Sequence, residues 1–344
     1  MNETTNALPL EPEFEVAGKR VAMGAPPFVI AEAGSNFDQN LDTACRLIDA
    51  AADAGADAVK FQLFQAESLY PEGTDGYQAF KAVELNPDWV ERLDSHAKGR
   101  GIPFLASAFD AQSVEVLESI DVPAHKIASS EATNRSLVAH VAATGRPILL
   151  STGMCDMVDV HEAVDLCVAA GNRRVVLLQC GTLYPLPPAA ANLRVMDLFR
   201  RTFGGPVGFS DHTLGTAAAV AAAARGAAVI EKHFTLDRSA KGPDHSYALE
   251  PSELKRLVTE VREAHEALGA PVKEMLPEER RFGRRDGLYA ARDIGQGDTI
   301  SAADIAVRRP AVGLRARHRE AVSGARARRS IAAGDPIAWE DVAW

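Results

Sequence analysis

The chain is 344 residues long, 47% hydrophobic and 24% charged, and its 47 acidic against 37 basic side chains give a formal net charge of −10. That length exceeds the roughly 250 residues of a typical α/β barrel and leaves room for one further small domain. The acidic excess and the short, interrupted arginine runs near the end speak against a nucleic-acid binder. The lack of a basic-then-apolar leader or a run of about 18 apolar residues gives no membrane partner and a cytoplasmic expectation.

Residues 1 to about 20 are polar, acidic and proline-punctuated, which predicts a loosely held leader. From Phe28 the pattern changes to short apolar runs alternating with longer amphipathic stretches. Strands are predicted at Phe28–Glu32, Ala58–Gln62, Pro103–Ser107 and Ala124–Ile127, then at Pro147–Ser151, Val175–Gln179, Val207–Ser210 and Val229–His233. The helices between and after them fall at Leu41–Ala54, Pro87–Lys98, Ala111–Ser119, Ser136–Ala143, Val158–Ala170, Leu193–Phe203, Thr216–Arg225 and Pro251–Leu268. Eight strand–helix pairs are the count that closes a (β/α)₈ barrel, a TIM barrel of parallel strands.

Gly55, Gly101, Gly145, Gly171 and Gly226 each follow a predicted helix, where a left-handed terminating residue is easiest for glycine. The segment Phe64–Leu85 is longer than an ordinary strand-to-helix connection, and in barrels such loops tend to carry function. After Leu268 a charged linker leads into short apolar pieces such as Leu288–Ala291 and Ile305–Val307, divided by Gly-Asp and Gly-Gln turns. Two similar phrases, Ala291–Asp298 and Arg329–Asp335, suggest a recurring strand–turn unit in a small β-rich module. Cys45, Cys155, Cys167 and Cys180 lack metal-site or disulfide-framework spacing and read as buried thiols.

In a barrel the C-terminal ends of the strands converge on one open face. The polar residues ending the predicted strands are Glu32, Lys60, Gln62, Ser107, Lys126 with Ser129 and Glu131, Ser151, Gln179 with Thr182 and Tyr184, Ser210 with His212, and His233. His212 and His233 close neighbouring strands, so one divalent cation could bridge two imidazoles and keep positions open for water and substrate. Lys60 and Lys126 end buried strands and require anionic partners. An anionic substrate held with the serine hydroxyls is one reading, and salt bridges to Glu32 and Glu131 are the other. No glycine-rich phosphate loop follows any strand, which disfavours a nucleotide ligand.

Several ordered strings are recognisable: Ile30–Gly34, Val59–Gln62, Lys126–Glu131, Leu150–Met154, Gly208–Thr213, Ile230–Thr235 and Gly242–His245. With them the chain resembles the sialic acid synthase family from about residue 27 to its end, including that family's C-terminal antifreeze-like (SAF) domain. After the flexible leader (1–20) expected from composition, the resemblance implies a catalytic barrel (21–272), a linker (273–285) and a SAF domain of β-clip type (286–344). The implied reaction condenses phosphoenolpyruvate with an N-acylated amino-sugar aldehyde to a nonulosonic acid and phosphate.

By the same resemblance His212 and His233 would hold a divalent metal, Mn²⁺ first and Mg²⁺ or Co²⁺ as alternatives. Lys126, Ser129, Ser151 and Ser210 would bind phosphoenolpyruvate, with Ser107 nearby. Glu32, Lys60, Gln62, Thr182, Tyr184 and Asp244 would line the sugar pocket. Glu131 would be the leading proton-transfer group, with Lys60 and Glu32 also placed among the catalytic residues. Arg309 would reach from the SAF domain to the N-acyl group in a domain-swapped homodimer. The chain departs from the family at Asn36–Gln39, where Asn-His-Asn-Gly is frequent, and at Gln179, Thr182 and Ala311. Those departures lead us to expect drift in the sugar-facing positions.

Overall fold

The computed structural model describes residues 10–281 and 283–344, and the chain divides into two compact units, the first ending at Gly269 and the second spanning Ala270–Trp344. The first unit opens with a hairpin, β1 (Glu13–Val16) and β2 (Lys19–Ala22). The barrel strands and helices then alternate. They are β3 (Phe28–Gly34), α1 (Leu41–Ala54), β4 (Ala58–Leu63), the short α2 (Ala66–Leu69) and α3 (Asp75–Lys81), α4 (Val90–Gly99), β5 (Phe104–Ala108) and α5 (Ala111–Ser119). The second half runs β6 (His125–Ile127), α6 (Arg135–Ala143), β7 (Ile148–Ser151), α7 (Met157–Ala169), β8 (Val175–Cys180), α8 (Val195–Phe203), β9 (Val207–Asp211), α9 (Ala217–Ala224), β10 (Val229–His233) and α10 (Pro251–Leu268). Strands β3 to β10 are all parallel and close on themselves, β10 pairing with β3.

The barrel strands are buried on both faces, which is why they read as continuous apolar runs instead of alternating ones. Helix α1 shows how its neighbours are bounded: the Asn40 side chain accepts from Thr43 N, and Gly55 closes the other end in the left-handed conformation. The expected long connection after β4 contains α2 and α3.

The expectation of a loose leader through residue 20 is corrected for the described part, residues 1–9 lying outside it. Leu10, Phe14, Val16 and Val21 are buried in the barrel's own core. Leu10 N donates to Phe203 O and Glu11 N to Arg173 O, so this segment caps the barrel end opposite the strand C-termini. Its apolar residues alternate along short strands, a signal that its acidic and proline content masked.

The second unit contains α11 (Pro277–Arg281), β11 (Gly287–Ala290), β12 (Ile305–Arg308), α12 (Arg319–Val322), β13 (Arg326–Ala327) and β14 (Val342–Ala343) around a separate small core that includes Leu288, Ile300, Val322 and Ile337. Its two repeated phrases pair with each other: Ile294 and Ile331 exchange backbone hydrogen bonds of 2.9 Å. Each phrase also supplies an arginine to an aspartate twelve residues on, Arg292 to Asp304 and Arg329 to Asp341.

Candidate active site

At the C-terminal end of the barrel the strand-end side chains enclose a cavity of about 360 Å³. Its floor is charged and buried. Lys60, on β4, lies 2.7 Å from Glu32 Oε2 and 3.6 Å from Glu231 Oε2, and donates to Ser107 Oγ at 2.8 Å. Among the described residues Lys126, on β6, has one carboxylate within ion-pair distance, Glu231 Oε1 at 3.7 Å. Ser210 Oγ donates to Glu231 Oε1 at 2.8 Å, and Gln62 donates to Glu32 at 3.3 Å.

This arrangement explains the charge states. Burial alone would lower both lysines; Glu231 and Glu32 outweigh it at Lys60 and raise that amine, whereas burial prevails at Lys126 and lowers it. For the two carboxylates burial pushes upward, and at Glu231 it is overcome by Lys126, Lys60 and the Ser210 hydroxyl, so Glu231 is held low and ionised. Glu32 has Lys60 alone close by and the like charge of Glu231 against it, so burial prevails and raises its carboxyl to about 7.

Above this floor stand the two histidines, with ring centroids 5.3 Å apart. His233 ends β10, and His212 follows directly after β9, the neighbouring strand. His212 Nδ1 donates to the Gly181 carbonyl at 2.6 Å, which leaves Nε2 as the free lone pair. His233 Nδ1 is buried without a hydrogen-bond partner. Burial holds His212 down at about 4, with His233 adding to it, and burial likewise lowers His233, so both rings are neutral at physiological pH. Tyr184 packs on His212 at 4.2 Å between centroids, and Tyr247 on His233 at 5.3 Å.

Asp244 closes the wall beside His233. It accepts from the Tyr247 hydroxyl at 2.6 Å and from Ser35 Oγ at 3.1 Å. The approach depends on Gly34: a Cβ there would stand 2.7 Å from Asp244 Oδ2, at a φ of +54° that side-chain-bearing residues rarely adopt. Gly153 serves similarly, its N–H donating to Ser129 Oγ at 2.9 Å while a Cβ would clash with Thr182 and Ser129.

The cavity thus brings together Glu32, Lys60, Gln62, Ser107, Lys126, Ser129, Ser151, Thr182, Tyr184, Ser210, His212, His233 and Asp244. Two expected residues are not among its walls. Glu131 is half-buried on the turn after β6, its carboxyl raised by burial against hydrogen bonds from Ser130 and Asn134. Arg309 lies in the second unit, exposed, with Nε donating to Asp286 at 2.8 Å. The cavity also contains residues that sequence reasoning missed: Glu231, Cys180, and two aromatic rings, Phe80 and Phe109, each packed on Phe64. Glu231 had a signal, since an acid in the middle of a strand buried on both faces demands a partner. The cation partner expected at Glu131 is in fact Glu231.

The departures sort differently from expectation. Phe37 is fully buried against Phe61 and Trp89, with centroids 6.2 and 6.4 Å away, and faces the helical layer. Gln179 donates to the Ala191 carbonyl at 3.0 Å and does not line the cavity. In the barrel unit Thr182 alone of the named departures faces it. All four cysteines are free, Cys167 and Cys180 buried and Cys45 and Cys155 half-buried. No described helix is long and apolar enough to cross a membrane.

The chain matches the NeuB family over residues 47–273 and the SAF domain over residues 285–343. It is 38% identical to the N,N'-diacetyllegionaminic acid synthase of Legionella pneumophila, covering 92% of this chain and 94% of that one. It is 37% identical to the N-acetylneuraminate-9-phosphate synthase of Mus musculus, covering 86% of each. Among solved structures, the N-acetylneuraminic acid (sialic acid) synthetase of Leptospira borgpetersenii, crystallised with citrate, superimposes with a TM-score of 0.75 at 32% identity, over 79% of this chain and 95% of that one.

Proposed function

The chain belongs to the NeuB family, and from that premise we propose that it condenses phosphoenolpyruvate with an N-acylated amino-sugar aldehyde in the cytoplasm, giving a sialic-acid-type nonulosonic acid and phosphate. The observation that carries this reading is the cavity floor, where Lys60 and Lys126 stand beside the hydroxyls of Ser107, Ser129, Ser151 and Ser210 beneath a pair of neutral histidines. Two ammonium groups and several hydroxyls suit a ligand carrying both a phosphate and a carboxylate. Ser151 Oγ is buried without a partner, a cost that a bound oxyanion would remove.

The donors also fit a divalent cation. His212 presents Nε2, His233 has an unpartnered buried nitrogen, and both rings are in the ligating neutral form. Among the described residues no group of three or more His, Cys, Asp or Glu donors gathers, so substrate and water oxygens would complete the coordination. When bound, Mn²⁺, or Mg²⁺ or Co²⁺ in its place, would polarise the aldehyde carbonyl.

In the proposed reaction C3 of phosphoenolpyruvate bonds to the aldehyde carbon, water adds at C2, and the C2–O bond to phosphate breaks. Lys60 and Lys126 hold the anion and balance the charge that collects on the departing phosphate. The attacking water gives up both its protons, one as it adds at C2 and one as the C2 hydroxyl collapses to the keto group; the aldehyde oxygen gains one and the departing phosphate carries off the other. We assign proton movement to Glu32, which lies in the cavity between Lys60 and Gln62. Glu131, outside the walls, orders the turn that carries Ser129. Gln62, Thr182, Tyr184 and Asp244 would contact the sugar, and Arg309 would reach the N-acyl group of a sugar held by the partner barrel of a homodimer.

Two lysines, Lys60 and Lys126, face three acidic side chains, Glu32, Glu231 and Asp244, which leaves little positive charge for a second phosphate. This favours an unphosphorylated acceptor. The test is phosphate release from phosphoenolpyruvate with Mn²⁺ and a panel of N-acylated hexosamines and their 6-phosphates, with mass analysis of the product. Sugar-dependent release with a keto-acid product supports the reading. Release that is independent of every sugar, or a product lacking the three added carbons, overturns it.

A further inference from the structure

His212 follows the end of β9 and His233 is the last residue of β10, both one step past the β9–β10 pairing, which stops at Asp211 and Lys232, yet metal ligation tolerates errors of only about 0.5 Å. The seam between these strands is cross-linked on both faces just below them. In the register, Ser210 stands opposite Glu231 and Asp211 opposite Lys232. Side chains alternate along a strand, so these two rungs point to opposite faces of the barrel wall. Ser210 and Glu231 join on the cavity side at 2.8 Å. Asp211 and Lys232 join on the outer side, also at 2.8 Å, with both residues about 1% exposed.

The outer pair does more than bridge two strands. Lys232 Nζ also donates to the Thr213 carbonyl, and Asp211 Oδ1 accepts from Thr213 N at 2.8 Å. The residues before and after His212 are therefore both tied to Lys232, which itself immediately precedes His233. One ammonium group locks the peptide on each side of one imidazole to the strand bearing the other.

We propose that the Asp211–Lys232 pair, closed over Thr213, is a positioning device that sets the separation of His212 and His233 for one divalent cation. Neither residue lines the cavity or touches substrate. The inference rests on the metal reading above and adds the residues that make two imidazoles on separate strands act as one site. A buried ion pair is weak evidence for stability, because apolar residues of similar volume often replace one without loss. Its presence directly beneath two ligands, with both bonds to Thr213, is what geometry at the site would require.

That contrast supplies the experiment. Mn²⁺ alone is titrated into the full chain, free ion being followed by electron paramagnetic resonance, with thermal melting measured on the same samples. The wild type should bind about one equivalent; if it binds none, the metal reading fails and not the clamp. The double variant Asp211→Leu/Lys232→Met should melt at or near the wild-type temperature while its Mn²⁺ affinity weakens by roughly 10- to 100-fold. The polar variant Asp211→Asn/Lys232→Gln, which can still hydrogen-bond across the seam, should recover much of that affinity. A folded apolar variant binding Mn²⁺ within about twofold of wild type overturns the proposal. So does unfolding of both variants, which would make the pair an element of folding alone.

Discussion

Replacing Glu231 by glutamine isolates the charge balance of the cavity floor. In the wild type this carboxylate lies 3.6 Å from Lys60 and 3.7 Å from Lys126 and is the only carboxylate within ion-pair reach of Lys126 among the described residues. Removing one partner of a buried pair costs about 3 kcal/mol or more, since an uncompensated cation stays buried. For a unit of this size that lowers the melting temperature by about 6–12 °C. An anion entering the cavity meets the opposite change. At a separation of roughly 5 Å and an effective dielectric of 20, losing one negative charge favours each ligand charge by up to about 3 kcal/mol. The metal-free Glu231→Gln protein should therefore melt lower than wild type, and phosphoenolpyruvate should raise its melting temperature by more than it raises that of wild type. Differential scanning fluorimetry with and without phosphoenolpyruvate measures both. An unchanged melting temperature, or a smaller shift with the ligand, would refute the account of who neutralises the lysines.

The acid limb of stability should be set in part by His212, held down at about 4 against an ordinary 6.5. The unfolded chain binds the extra proton between those values, so the contribution of the neutral ring is complete above pH 6.5 and is lost as pH falls through about 4, amounting to about 3 kcal/mol. Denaturant melts of metal-free protein should show His212→Gln flattening that slope, and an unchanged slope would remove His212 from it. Phe37→His, which restores the residue frequent in the family, should destabilise the barrel by about 3 kcal/mol, because it buries a polar ring between Phe61 and Trp89. It should leave the KM for the sugar unchanged, and a changed KM would return position 37 to the sugar site. Arg309→Ala should raise the KM for the sugar at least about tenfold with little change for phosphoenolpyruvate, as loss of a ground-state contact does; equal effects on both would defeat its assignment.

The barrel was legible in the sequence because a parallel strand covered by helices must be apolar throughout, and its covering helix must show a 3.6-residue stripe. Eight repetitions of that pair, with glycines at the seams, leave one closed topology, and the same logic located most of the cavity, since strand ends in a barrel have one place to go. Lys60, Lys126, Ser210, His212 and His233 were found in this way. What the sequence left open was the choice among partners. Glu131 and Glu231 are equally acidic on paper, but the turn after β6 carries Glu131 away from the walls while the pleat of β10 aims Glu231 between two lysines. Phe37 and Gln179 look like altered site residues, yet Phe37 lies on the turn after β3 with its ring packed on Phe61 and Trp89, and Gln179 precedes the cavity-lining Cys180 on β8, where a period of two sends adjacent side chains to opposite faces. The hairpin at residues 13–22 was hidden for a related reason: its few apolar residues gain meaning only against a core built by residues far along the chain. Local pattern therefore determined which elements form and where their ends point, whereas pairing, orientation and charge state were decided by tertiary structure, because each depends on what distant strands place within a few ångströms.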